Sequence, residues 1–279
     1  MGTPFSRLLL ATEHGEQDAG AEALALELAA HCGVPLAAVL PLASNPEFEA
    51  AAPKLAARGD AEAARARAAL EAEARARGVV LDVRVRRGAE AYVEIVAEAR
   101  AAAADLIVIR RRGRRGLLAN LLVGEMVGKV VAHAPCSVLV APRDARMWQR
   151  GVLVGVDPRA PDATMVEQAA ALAGECGLPL SVVCVADGVT TSAAEAVLAD
   201  ALGRARARHG QTSGEVRSGR AYEALIDAAR ERGADLLMVA RHGGGLLARA
   251  WIGGTTHKVI GLAECPVLVH VAQGARSVP

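Results

Sequence analysis

The chain is written twice. Cys32-Gly33-Val34-Pro35-Leu36 returns as Cys176-Gly177-Leu178-Pro179-Leu180, and Ala91-Tyr92 returns as Ala221-Tyr222. Asp105-Leu106-Ile107-Val108-Ile109 returns as Asp235-Leu236-Leu237-Met238-Val239, and Cys136-Ser137-Val138-Leu139-Val140 as Cys265-Pro266-Val267-Leu268-Val269. The matches keep their order, but the spacing between copies shrinks past the middle, so the second copy has the shorter middle loop. A repeat of this length is a duplicated domain rather than a solenoid unit of about 20–50 residues. Each copy must bury its own core, and a matched pair can dock as a pseudo-dimer within one chain.

The repeat divides the 279 residues into domains 1–147 and 148–279. The chain is 52% hydrophobic with a net charge of +1, so it can bury a core and lacks the signature of disorder. Its apolar residues are mostly Ala, Val and Leu, with two each of Trp, Tyr and Phe. So few aromatics, with near-neutral charge, argue against nucleic acid as a partner. No apolar run reaches the length of a membrane span, and the N-terminus does not read as a signal peptide. Five scattered cysteines without a Cys-x-x-Cys fit a reducing cytoplasm. Cys32, Cys176, Cys136 and Cys265 hold matched positions and read as small buried hydrophobes.

Continuous apolar runs at 8–12, 36–42, 106–109 and 137–141 read as strands buried on both faces, and 79–85 as an alternating strand. Between them, 18–32, 60–77, 91–103 and 120–133 read as helices, with Gly33 and Gly78 as stops. Residues 44–58, which contain prolines, read as an irregular insertion. The second copy repeats the order, with strands at 152–156, 180–185, near Val216, 236–239 and 267–271. Its helices fall before Cys176 and at 194–208, 222–232 and 255–262. This alternation predicts right-handed crossovers and two α/β domains, each with a five-stranded parallel sheet. Such sheets bind ligands beyond the strand carboxyl ends.

Two places in each copy sit at those ends. After the first strand stand Glu13 and Asp157; a carboxylate there can accept from a ribose diol or serve as a turn residue. After the fourth strand the second copy reads Ala240-Arg241-His242-Gly243-Gly244-Gly245, and Gly253-Gly254-Thr255-Thr256 opens the next helix. Glycines let backbone N–H groups approach phosphate, the helix terminus adds donors, and Thr255 can cap or donate. The same stretch can also be a plain connector. The first copy has Arg110, Arg111, Arg112, Arg114 and Arg115 in this loop, with Glu125 opening the helix. Glu125 would repel a phosphate and is expected to satisfy the helix N-terminus itself. The arginines are expected to form a solvated or interface surface, pairing with acids of the other copy or of a second chain. Gly124 to Val130 falls short of a Walker loop, and the seven histidines have no metal-ligand spacing. No nucleophile with an activating base is visible, so catalysis is not expected.

Both copies resemble universal stress protein domains in tandem. The resemblance rests on Ala104 to Ile109 with His133 to Val140, on their counterparts, and on Val152-Leu153-Val154-Gly155-Val156-Asp157. It implies Rossmann-like domains of the adenine nucleotide alpha hydrolase type, with the two final strands meeting antiparallel. Nucleotide-binding members carry Gly-x2-Gly-x9-Gly-(Ser/Thr) after strand four. Here Ala240 stands for the first Gly, Gly243 and Gly253 follow in register, Gly254 replaces the hydroxyl residue, and Thr255 lies one position late. By this resemblance Asp157 would hold ribose, Val185 and Val239 would border adenine, and Ala240, His242, Gly243, Gly253, Gly254 and Thr255 would surround phosphates. The first copy departs further, through Glu13, Arg110 and Glu125, and looks like one that has lost nucleotide binding. The expectation is a cytoplasmic stress-response protein that binds ATP in its second domain, with or without Mg²⁺, and holds it rather than turning it over. A non-binding scaffold of the same fold, with a protein or homodimer partner, is the alternative. A nucleotidyl transferase is disfavoured because no His-x-Gly-His is present.

Overall fold

The computed structural model describes residues 5–111, 124–241 and 252–272. Ten strands form one sheet in the order β3-β2-β1-β4-β5-β10-β9-β6-β7-β8. In the first half these are β1 (Leu8–Ala11), β2 (Leu36–Ala43), β3 (Leu81–Gly88), β4 (Leu106–Arg110) and β5 (Ser137–Ala141). In the second they are β6 (Val152–Val156), β7 (Leu180–Ala186), β8 (Thr212–Ser218), β9 (Leu236–Ala240) and β10 (Val267–His270). Pairing within each half is parallel, as alternating strands and helices require. The halves join through the antiparallel pair β5–β10, where Leu139 lies opposite Leu268. The two five-stranded sheets and their internal pseudo-dimer are therefore as expected.

The central strands β4, β5 and β6 are buried at every position, because helices cover both faces. On one face lie α1 (Ala19–Cys32), α3 (Pro53–Ala76), α6 (Ala163–Cys176) and α7 (Thr191–Arg208), over a core that includes Leu24, Leu70, Leu172 and Leu198. On the other lie α4 (Ala91–Ala101), α5 (Glu125–His133), α8 (Ala221–Glu231) and α9 (Gly254–Leu262), over Ile95, Val130, Leu225 and Ile260. Gly33 and Gly177 end α1 and α6 at φ 64° and 65°, the left-handed stop that glycine adopts at least cost. Of the matched cysteines, Cys32 and Cys136 are buried as expected and Cys176 and Cys265 are only half-buried; desolvation pushes Cys136 up to about 12 and Cys32 up to about 11, which favours the thiol.

The matched Asp105 and Asp235 brace the start of each copy. Asp105 accepts from the backbone N–H of Ser6 at 2.8 Å and of Arg7 at 3.1 Å. Asp235 accepts from those of Gln149 at 2.8 Å and Gly151 at 3.1 Å. Each carboxylate satisfies donors that precede a buried strand, where unpaired groups are costly.

One expectation fails. Residues 44–58 are not irregular: they hold the short helix α2 (Pro46–Ala51) and the beginning of α3. Pro53 sits in the first turn of α3, where its missing N–H has no partner to lose and its fixed φ favours entry. The Ala-rich sequence behind it then carries the helix to Ala76, burying Ala63, Ala66, Leu70 and Ala74 at helical spacing.

Two glycines in helices give opposite predictions. A Cβ on Gly20 would lie 2.1 Å from the carbonyl oxygen of Pro142, which leads into the connection between halves. A Cβ on Gly59 would meet nothing within 4 Å. In urea denaturation, Gly20→Ala should lower stability by about 1–3 kcal/mol through overpacking. Gly59→Ala should raise it by about 0.5–1 kcal/mol through helix propensity.

Candidate functional site

Beyond the carboxyl ends of β6, β7 and β9 lies a crevice of about 250 Å³. It occupies the point where the strand order reverses, since β6 runs on to β7 at one side and pairs with β9 at the other. Asp157, Val185, Val239, Ala240, Gly253, Gly254 and Thr255 all line it. His242 and Gly243 lie outside the described residues. Val185 and Val239 are buried and form apolar walls.

Asp157 has the turn role that its sequence allowed, and lines the crevice as well. Its Oδ1 accepts from the backbone N–H of Arg159 at 2.9 Å. At the far wall, α9 begins on Gly253 with no side-chain cap. Its first intrahelical bond runs from the His257 N–H to the Gly253 carbonyl. The N–H groups of Gly254, Thr255 and Thr256 therefore have no partner within the helix, and these residues border the crevice. A helix N-terminus without its own cap favours an anion there, by its free donors and its partial positive charge.

Three polar lining residues escaped sequence reasoning. Thr256, the neighbour of the chosen Thr255, donates its hydroxyl to the Ala240 carbonyl at 2.7 Å and ties α9 to the end of β9. Asp187 lines the crevice and accepts from the Ala221 N–H at 3.1 Å, at the start of α8. Arg159 is the one cation among the described lining residues, and its guanidinium donates to the Asp187 carbonyl. The turn pattern Asp157-Pro158-Arg159 carried a signal for the loop but none for that crossing.

The matching place in the first half is built differently. Arg110, at the end of β4 where β9 has Ala240, is 4% exposed. It donates to Glu13 Oε2 at 2.6 Å and to the buried Asp18 carboxylate. Burial opposes its charge, but Asp18 and Glu13 outweigh that and raise its pKa. Around it, Glu22 Oε1 accepts from the Thr12 hydroxyl at 2.6 Å and meets the His14 ring at 3.1 Å. The expectation of solvated or interface arginines is thus corrected for Arg110: the buried Asp18 and the exposed Glu13 of its own half claim it, because an unpaired charge there would be costly. Arg111 does reach the other half, but it meets backbone carbonyls there rather than acids. Arg112, Arg114 and Arg115 lie outside the described residues. Glu125 stands exposed in the first turn of α5, the helix end that an acid favours, and pairs with Lys129 at 3.0 Å.

The description of the universal stress protein family matches residues 4–142 and again residues 149–270. The chain belongs to the universal stress protein family. Among solved structures, a universal stress protein from Archaeoglobus fulgidus DSM 4304 is 19% identical, with a TM-score of 0.74, covering 98% of this chain and 100% of that one. A functionally unknown protein from Pseudomonas aeruginosa PAO1 is 19% identical, with a TM-score of 0.66 over 95% and 92%. At these identities the likeness is one of fold. A universal stress protein solved in complex with cAMP is 25% identical over 44% of this chain and 97% of its own, with a TM-score of 0.38. No curated protein matches the chain. No described helix of this universal stress protein is long and apolar enough to cross a membrane.

His270, at the end of β10, is 6% exposed and lies 2.7 Å from Gln168 and 3.1 Å from Thr164. Burial lowers its pKa, against the opposing pull of Asp162. The folded imidazole thus stays neutral while the unfolded one gains a proton below about 6.5. Stability should therefore be full above that pH and fall as pH drops through it. His270→Asn should flatten this slope in urea midpoints measured between pH 7.5 and 5.5.

Proposed function

We propose that this universal stress protein binds an adenine nucleotide, ATP foremost, in the crevice of its second half. The observation that carries this reading is the uncapped N-terminus of α9 at one wall of a crevice whose other walls are Asp157, Val185 and Val239. Apolar walls suit a base, a carboxylate suits a ribose diol, and free amides suit phosphate. The volume of 250 Å³ is near the lower end of small-molecule sites, which fits a buried nucleoside with phosphates running out along α9. Mg²⁺ would accompany the phosphates from solvent. The first half does not bind, because Arg110 already neutralises the carboxylate that would meet ribose. The protein holds the nucleotide rather than turning it over: both carboxylates of the crevice accept from backbone N–H groups instead of activating a nucleophile. Five free cysteines support a reducing, cytoplasmic setting for this stress-response role.

A second reading, a scaffold that recruits a protein partner or a second copy, draws on one contact. The guanidinium of Arg159, the one cation among the described lining residues, is taken up by the Asp187 carbonyl rather than left for a phosphate.

Calorimetric titration of the whole chain with ATP and Mg²⁺ separates the two. One site is expected. Gly243→Asp should abolish the heat, and Ala240→Arg, which copies the first half, should do the same by filling the crevice. Asp157→Ala should weaken binding about tenfold or more, from the loss of one or two charge-assisted hydrogen bonds. A folded wild-type chain that gives no heat leaves the scaffold.

A further inference from the structure

Two arginines cross between the halves in reciprocal fashion. Arg111 follows β4, and its guanidinium donates to the carbonyls of Ala263 and, at 3.4 Å, Ile260, in the last turn of α9. Arg241 follows β9, and donates to the carbonyls of Ala134 at 3.0 Å and Ala132 at 3.3 Å, at the end of α5. Burial lowers the pKa of both, and neither forms an ion pair among the described residues. Helix-terminal carbonyls take the place of a carboxylate, since a cation is favoured at the negative end of a helix.

Both contacts act on the wall of the crevice that would meet phosphate. Arg111 fixes the far end of α9, a helix whose nine residues span about 14 Å. Its near end carries the amides of Gly254, Thr255 and Thr256, which have no partner within the helix. Arg241 fixes the near end. Its N–H bonds the His270 carbonyl at 3.0 Å, and its own carbonyl accepts from the Gly253 N–H at 3.0 Å, the residue on which α9 begins. The first half is rigidly set for this task, because Glu13 and Asp18 hold Arg110 immediately before Arg111. The Arg111 N–H is itself bonded to the Ala141 carbonyl at 2.7 Å.

We infer that Arg111 and Arg241 are positioning residues of the second-half site, clamping α9 at both ends onto the first half so that its amides are aimed before any ligand arrives. The first half, without a ligand of its own, is thereby part of the nucleotide site. This inference rests on the nucleotide reading above, and the experiment reports on the clamp separately.

The full-length chain is compared with Arg111→Ala, Arg241→Ala, the Arg111→Lys and Arg241→Lys pair of conservative variants, and Leu70→Ala. Leu70 lies in the core of the first half, away from the clamp, and its loss measures instability alone. Two measurements are made on each: ATP affinity by calorimetry, and amide exchange of residues 253–256 without nucleotide. Both alanine variants should weaken ATP binding at least about tenfold and speed exchange at 253–256. The lysine variants should recover part of each. Leu70→Ala should leave affinity within about twofold despite an equal or larger loss of stability. Unchanged exchange in both alanine variants overturns the clamp, as does affinity that merely tracks stability across the series. If the wild type binds no ATP, the nucleotide reading fails, and the exchange data still decide whether the arginines order α9.

Discussion

The antiparallel pairing of β5 with β10 is the constraint on which the rest of this molecule depends. Each half alone would be a five-stranded sheet with an open, largely apolar edge at its last strand. Val138, Leu139 and Val140 meet Val269, Leu268 and Val267 there, and all six are buried. An unpaired edge of that composition invites association between chains. Joining the copies covalently turns the pairing into an intramolecular event, at the high effective concentration set by a short connection. It also moves the free edges out to β3 and β8. There arginines are matched by acids: Arg86 with Glu98 at one edge, Arg217 with Glu215 and Glu231 at the other. Charged edges of this kind resist further strand addition.

The same pairing brings the ends of α9 and α5 within reach of Arg111 and Arg241. One strand-end position then decides what each half can do. Ala240 leaves space beyond β9; Arg110 fills the matching space beyond β4 and is held by carboxylates on two segments of its own half. The buried pair of Arg110 with Asp18 is weak evidence for stability, because desolvating both charges offsets much of their attraction. Its consequence is geometric. The place that a ligand could order in one half is ordered in the other by side chains alone.

Much of this was legible in the residues. Apolar runs located the central strands closely, and 137–141 and 152–156 match β5 and β6 at both ends. The duplicated order implied the tandem fold, and family resemblance supplied the antiparallel seam. What local pattern could not give is long-range pairing of side chains. Arg110 sits in a run that looks like surface, yet its partners Glu13 and Asp18 lie 97 and 92 positions away. A basic loop cannot announce a buried acid that far up the chain. Pro46 and Pro53 misled for a different reason, since proline marks a helix start as readily as a break. Local pattern also does not separate Thr255 from Thr256: two adjacent hydroxyls in a first turn point about 100° apart, and Thr256 meets the Ala240 carbonyl.

The asymmetry between the copies has a physical logic that goes further than loss of function. A site whose phosphate wall is an uncapped helix end has to keep those amides aimed in the absence of ligand, or the ordering cost falls on binding. In a symmetric pair with two empty crevices, each half would lean on a neighbour as loose as itself. Here Asp18 and Glu13 hold Arg110, so the strand end from which Arg111 departs does not depend on a ligand. The duplicated fold supplies two copies of one scaffold, and the substitution of Arg110 for the Ala240-type residue makes one of them the rigid support for the other.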